Sequence, residues 1–169
     1  MATVAAMPLP IETGVLSRSQ ALRLAWCCWL LLLAIPAVMF LVVMWKLIDD
    51  ETIAAEPAVA QRWFLGTMAY LAVMVPASFF LRSRDFRSYW AGECVTPGRY
   101  LRGMLSVWIT MEIGGLLALS GCLMTQSLVP NLLPALVAFI LFIPFWPSGR
   151  AMTCPVGHHH DAQHYEEPR

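Results

Sequence analysis

The sequence predicts an all-α membrane protein whose four transmembrane helices form two antiparallel hairpins, with both termini on the cytoplasmic side. Three observations carry this prediction: four long apolar runs, arginines at the ends of these runs, and loops of opposite charge. In hydrocarbon every backbone N–H and C=O must be satisfied within the segment, which favours helices. The strands of a membrane barrel would instead show alternating runs of about ten residues, and the sequence shows no such pattern.

The composition is that of a membrane protein. Hydrophobic residues make up 59% of the chain and charged residues 13%, against about 45–50% and about 25% in soluble domains. Basic and acidic residues balance at 11 each, so net charge gives no indication of a nucleic-acid partner. The five cysteines are odd in number, and Cys27, Cys28 and Cys122 lie in apolar runs, which does not suit a disulfide framework. Cys94 and Cys154 are expected to be reduced.

The first two predicted spans cover about residues 26–45 and 63–81. Both runs are free of charged residues and about as long as the 30 Å hydrocarbon core requires at about 1.5 Å per residue. Trp26 and Trp45 stand at the two ends of the first run, as in an interfacial aromatic belt. Pro36 near its centre predicts a kink, which a helix bundle tolerates. No cleavable signal peptide is evident, so the first run is interpreted as an uncleaved span.

The other two predicted spans cover about residues 103–128 and 131–146. They are separated by a short turn with Pro130, which predicts a tight antiparallel hairpin. The chain is therefore divided into a cytoplasmic N-terminal segment, a four-helix transmembrane domain and a flexible cytoplasmic tail: residues 1–22, 23–147 and 148–169.

Loop charges predict the orientation. The 82–102 loop has five arginines against two acids, whereas the 46–62 loop has four acids against two bases. An excess of Lys and Arg marks the cytoplasmic side. The 82–102 loop and both termini are therefore expected inside, in a multi-pass protein of a bacterial cytoplasmic (inner) membrane.

A single carboxylate, Glu112, interrupts the third span. It lies ten residues after Arg102, about 15 Å along a helix and near the middle of the bilayer. An ionised acid there costs about 2.5 kcal/mol or more, so Glu112 is expected to face the bundle. No span contains Lys, Arg or His, which favours a protonated Glu112 bonded to a hydroxyl or carbonyl. Thr110 on the same helix and Tyr70 on the second are candidate partners in a buried polar or ion site.

The third span is also rich in small residues. Gly114, Ala118 and Gly121 predict close helix packing, either within the chain or between subunits. Three interpretations of Glu112 follow from this setting. It can join helices or subunits, it can be a proton or cation site, or it can contact a substrate or a lipid headgroup.

The second half of the chain carries a pattern of short motifs. An arginine opens the third span, a glutamate followed by small residues lies within it, and an aromatic-Pro-Ser element ends the fourth: Arg102, Glu112 with Gly114-Gly115, and Trp146-Pro147-Ser148. In this pattern about residues 100–150 resemble a family of small uncharacterised four-helix bacterial inner-membrane proteins, which implies a four-helix layout.

That family in turn looks faintly like the proteolipid ring subunit of rotary ATPases, a helical hairpin with one buried carboxylate. In this chain Glu112 lies on the first helix of its hairpin rather than the second, and the repeated Gly-x-Gly stripe is missing. These departures argue against a rotary-ring role.

Two polar regions lie outside the spans. The tail holds all four histidines and a cysteine, residue types that suit zinc, copper or nickel: Cys154, His158, His159, His160 and His164. Their spacing matches no closed zinc pattern. Two interpretations therefore stay open: adventitious affinity for zinc or nickel, and a metal-responsive tail. The 82–102 loop interleaves arginines with aromatics, as in segments that lie on anionic headgroups, at Arg82, Arg84, Arg87, Trp90, Arg99 and Arg102.

No catalytic motif is recognisable: the sequence has no Gly-x-Ser-x-Gly, no phosphate-binding glycine loop and no His-Glu-x-x-His. We therefore expect no enzyme and no resident cofactor. The leading hypothesis is a structural or accessory membrane protein that assembles through its third helix as a homo- or hetero-oligomer in the bilayer, without nucleic acid. The alternatives are a proton- or cation-coupled channel or transporter element that uses Glu112, and a metal-responsive protein that uses the tail.

Overall fold

The computed structural model describes residues 16–49 and 56–153, and over these ranges it is helical without any strand. The α-helices are α1 (Arg18–Asp49), α2 (Pro57–Asp85), α3 (Arg87–Trp90), α4 (Pro97–Thr125) and α5 (Leu132–Phe142). Two short 3-10 helices follow, Ile143–Phe145 and Arg150–Met152. Four helical segments of the described chain are long and apolar enough to cross a membrane: Arg18–Ile48, Pro57–Asp85, Pro97–Thr125 and Leu132–Met152.

The ends of the helices have local causes. Before α1, the Ser17 hydroxyl accepts from the N–H of Gln20 at 3.2 Å, and the Gln20 side chain accepts from the N–H of Ser17 at 3.0 Å. This reciprocal pair is a capping box. Pro57 and Pro97 open α2 and α4, where the missing N–H has no cost. Gln126 ends α4 in a left-handed conformation, so α4 ends at Thr125, before the predicted end of the span at residue 128.

The fourth segment is not one continuous α-helix. With 11 residues, α5 extends for only about 16 Å, about half of the hydrocarbon thickness. Its continuation is a 3-10 turn that contains Pro144, followed by extended backbone at Trp146. Such irregular backbone is tolerated at membrane depth where protein groups satisfy it. Here the indole N–H of Trp108 donates to the carbonyl of Phe145 at 2.8 Å.

Helix α4 is the centre of the bundle. It packs most extensively against α2, and also against α5 and α1. In the described residues α1 and α2 meet chiefly through α4 rather than directly. Helices α4 and α5 are joined by a short turn and pack against each other, whereas the arrangement as two antiparallel hairpins and the orientation stay predictions.

The core forms around α4 in two clusters. The larger one surrounds Trp108 and Met111 and includes Leu71 of α2 and Phe142 of α5. The smaller one, nearer the end of α4, joins Val43 of α1 to a set of residues from α4 and α5: Ala118, Leu119, Cys122 and Ala135. Most of the large side chains on α1 remain exposed on its outer face, as expected of a helix that faces lipid.

Candidate functional site

A groove runs between α1 and α5, with α4 as its floor. It encloses about 400 Å³ and is lined by residues 32–41 of α1 and 132–142 of α5. Glu112 is the one ionisable residue in this lining, which is otherwise apolar. Pro36 lies on the α1 wall and has no N–H to donate to the carbonyl of Leu32, one turn earlier. We call this feature the Glu112 groove.

Glu112 is buried, with 7% of its surface exposed, and its Oε1 atom has no hydrogen-bond partner within residues 16–49 and 56–153. A polar group held in an apolar setting without a partner is unfavourable by about 1–3 kcal/mol when neutral, and by more when charged. The structure therefore places the carboxyl where a hydrogen-bond donor from another molecule would stabilise it.

The two expected partners of Glu112 make other hydrogen bonds. The Thr110 hydroxyl donates to the carbonyl of Ser106 at 2.8 Å, and the Tyr70 hydroxyl donates to the carbonyl of Thr110 at 3.4 Å. Thr110 lies two residues before Glu112, about 200° away around the helix. The structure thus directs Thr110 and Tyr70 toward the α2–α4 contact, while Glu112 faces the α1–α5 side.

The small residues of α4 lie at contacts within the chain. A side chain at Gly114 would meet Leu71 of α2, and one at Gly121 would meet Asn131 and Trp63 at 3.3–3.4 Å. Ala118 is buried beside Val43 of α1. Small residues therefore let α4 approach its own neighbours closely, and the same face is already covered in a single chain.

A second cavity lies at one end of the bundle, where α2 ends and α4 begins. It encloses about 330 Å³ and is lined by two arginines, Arg82 and Arg150, together with Tyr100, Ser148 and several aromatic rings. No acidic residue of the described chain lines it. We call it the basic pocket.

The Arg82 guanidinium is held by aromatic rings rather than by an acid. Its central carbon lies 4.8 Å from the ring centre of Phe86 and 5.3 Å from that of Phe145. Its Nε atom is buried and has no partner in the described part of the chain. The nearby carboxylate of Asp85 is bound by Arg102, whose Nε donates to Oδ2 at 2.9 Å and whose Nη2 donates to Oδ1. Asp85 therefore does not neutralise Arg82.

The predicted interfacial residues are divided by the fold. Arg82 and Trp90 line the basic pocket, Arg102 pairs with Asp85, and Arg84, Arg87 and Arg99 are exposed outside the lining. Sequence reasoning did not assign Arg150, Tyr100 or Phe145 to a site. The fold brings Tyr100 into the lining from α4, and Phe145 and Arg150 from the 3-10 turns after α5. The only available signal was the proximity of Arg150 to the end of the fourth span, which the positive-inside rule explains without a site.

The expectation that the thiol of Cys94 is reduced is not met. Cys94 is disulfide-bonded, so the expectation of a reduced thiol is wrong for this residue. A disulfide is typical of oxidising compartments, whereas the arginines of the same loop favour the cytoplasm, so the two indicators of orientation disagree.

The tail residues Cys154, His158, His159, His160 and His164 lie outside the described residues. Within the described ranges no group of three or more His, Cys, Asp or Glu could hold a metal ion.

Comparison with protein-family models, with curated proteins and with solved structures finds no match to this chain. The resemblance to small four-helix inner-membrane proteins therefore stays a prediction.

Proposed function

We propose that this chain is an accessory protein of a bacterial inner membrane, which binds a transmembrane helix of a different protein in the Glu112 groove. The observation that carries this proposal is the position of Glu112: a carboxyl without a partner in the described chain, on the floor of an apolar groove that faces away from the α2–α4 contact. A hydrogen-bond donor on the incoming helix would satisfy Glu112. Polar bonds of this kind hold helices together in membranes.

The shape of the groove supports a helix as the occupant. Its α1 wall covers residues 32–41 and its α5 wall covers residues 132–142, each about three helical turns or about 15 Å long. A helix that lies along this seam would place side chains at successive turns against both walls. The lining is apolar except for Glu112, which would fix the position of one donor along the seam.

The donors that the predicted spans offer favour a different protein over a second copy as the occupant. The predicted spans contain no Lys, Arg or His. The buried hydroxyls are already bonded to carbonyls of their own helices: Thr67 to Trp63, Ser78 to Val75, Thr110 to Ser106, and Thr125 to Gly121, at 2.7–2.9 Å. A different protein with a Lys, Arg or His in its helix would offer Glu112 a cationic donor that the spans of this chain lack, which favours a hetero-oligomer over a homo-oligomer.

Site-specific photo-crosslinking tests the proposal. A photoreactive amino acid replaces Leu136, an exposed residue of the groove, or Val73, a similarly exposed residue on α2, in membranes of cells that make the protein. We expect a protein adduct from position 136 and none from position 73. The adduct should persist in Glu112→Gln, which keeps a hydrogen-bonding side chain, and disappear in Glu112→Leu, which removes it.

Two results would refute this proposal. Equal adducts at positions 136 and 73 would mean non-specific contact in the bilayer. An adduct at 136 that is unchanged in Glu112→Leu would mean that the groove is occupied without any part for the carboxyl.

A second candidate function is a proton- or cation-coupled transport element, and the size of the cavity favours it. A volume of about 400 Å³ lies within the range of about 300–1,000 Å³ of small-molecule sites. A hydrophobic cation in the groove would pair with ionised Glu112. In liposomes with an internal pH dye, this function requires Glu112-dependent flux that Glu112→Gln abolishes, whereas the accessory function requires no flux from either protein.

A further inference from the structure

The basic pocket combines two cationic side chains with a wall of aromatic rings at one end of the bundle. We propose that this pocket binds a phosphate group, and that the phosphate belongs to the headgroup of an anionic phospholipid. This inference does not depend on the Glu112 groove, because no residue is shared between the two linings.

Arg82 supplies the first part of the argument. The rings of Phe86 and Phe145 lie within 4.8–5.3 Å of its guanidinium carbon and hold it in place. Contact with ring faces leaves the N–H groups at the edge of the guanidinium for an acceptor. Asp85, the acid that could have served, is bound to Arg102. An oriented guanidinium without a carboxylate suits the planar, two-point recognition of phosphate oxygens.

The segment after the fourth span supplies the second cation, the side chain of Arg150. The N–H of Gly149 donates to the hydroxyl of buried Tyr100 at 3.2 Å, and the N–H of Met152 donates to the carbonyl of Gly149 at 3.0 Å. These bonds fix the turn that carries Ser148 and Arg150 into the pocket lining. Gly149 has φ of +66°, and a Cβ there would come within 3.1 Å of Leu22, so the turn requires glycine at this position.

The location of the pocket favours a lipid as the source of the phosphate. The pocket lies where α2 ends and α4 begins, and two exposed indoles, Trp90 and Trp146, form part of its lining. Tryptophans of this kind mark the headgroup level of a membrane. Clusters of basic residues at that level attract anionic lipids. A volume of about 330 Å³ is within the small-ligand range of about 300–1,000 Å³.

Binding of short-chain lipids to the purified full-length protein in neutral detergent tests the inference. The probes are dihexanoyl phosphatidylglycerol, dihexanoyl phosphatidylcholine and inorganic phosphate, measured by microscale thermophoresis. The proteins are the wild type, Arg82→Gln, Arg150→Gln and, as a matched control, Arg84→Gln, which alters an exposed arginine outside the lining. Arg82 packs against two rings, so its replacement could unfold the protein. The thermal stability of each variant is therefore measured by circular dichroism. Arg150 is exposed, so Arg150→Gln tests the site without this risk.

We expect phosphatidylglycerol to bind more tightly than phosphatidylcholine, and the Kd to rise about tenfold in Arg150→Gln and in Arg82→Gln, as for loss of one charge-assisted pair. Arg84→Gln should bind as the wild type does. Inorganic phosphate that binds as tightly as the lipid, with the same dependence on Arg82 and Arg150, would overturn the lipid as source and keep the phosphate site. Equal losses in all three variants, or no loss in Arg150→Gln, would overturn the site itself.

Discussion

Helix α1 is more apolar than helix α4, yet it is far less buried. The most apolar window of α1 has a mean hydropathy of 2.7 and only 6% of its residues are buried, whereas that of α4 has 1.6 and 61% are buried. In water the more apolar helix would form the core. In lipid the tails are as apolar as leucine, so apolarity alone does not drive a helix inside, and close packing of small and polar residues does. The less apolar helix is therefore the central one.

The largest expected effect contrasts a tryptophan of each helix. Trp108 on α4 is fully buried and donates to the Phe145 carbonyl, whereas Trp45 on α1 is 63% exposed. Trp108→Ala should lower the free energy of unfolding by about 3–5 kcal/mol, because it leaves a cavity and an unsatisfied carbonyl. Trp45→Ala should change it by about 0.5 kcal/mol or less. Unfolding by SDS in mixed micelles measures both, and similar losses would break the contrast between the helices.

A smaller effect is expected from glycines of α4 and α2. Gly114→Val would drive its side chain into Leu71, whereas a Cβ at Gly66 meets no atom within 4 Å. We expect Gly114→Val to lower stability by about 1–3 kcal/mol through overpacking. Gly66→Ala should raise it by about 0.5–1 kcal/mol, because alanine is the better helix former. The same denaturation assay compares them, and a stable Gly114→Val would mean that α2 and α4 are less closely packed than described.

The sequence was sufficient to predict the four described segments that are long and apolar enough to cross a membrane, because uninterrupted apolarity over a membrane thickness is a local property. It also identified α4 as unusual, through Glu112 and its small residues. It did not reveal which way each face of α4 points. Thr110 and Glu112 are close in sequence, yet the first faces α2 and the second faces the groove, and only the packing of α1, α2 and α5 decides this.

The basic pocket likewise could not be predicted in full from the sequence. The sequence placed Arg82 and Trp90 in one arginine-rich loop, where local charge and aromatic content could be recognised. Arg150 and Phe145 come from a distant segment, and they reach Arg82 because α5 gives way to a 3-10 turn whose carbonyl is bound by Trp108. A site that depends on a broken helix cannot be inferred from the apolar run that precedes it.

The smallest effect tests the side of α4 that faces the Glu112 groove. Glu112→Leu should raise the stability of the isolated protein by about 1 kcal/mol, the lower end of the cost of an unsatisfied buried polar group, since a groove admits some solvation. Glu112→Gln, which keeps the polar group, should leave stability unchanged. The same two variants should behave in the reverse order in crosslinking, where Leu loses the partner and Gln keeps it. A stabilised chain that fails to bind would mean that Glu112 is retained for a molecule outside the chain. A Glu112→Leu variant that is less stable than the wild type would mean that the carboxyl is bonded within the chain, and the argument for an outside donor would fail.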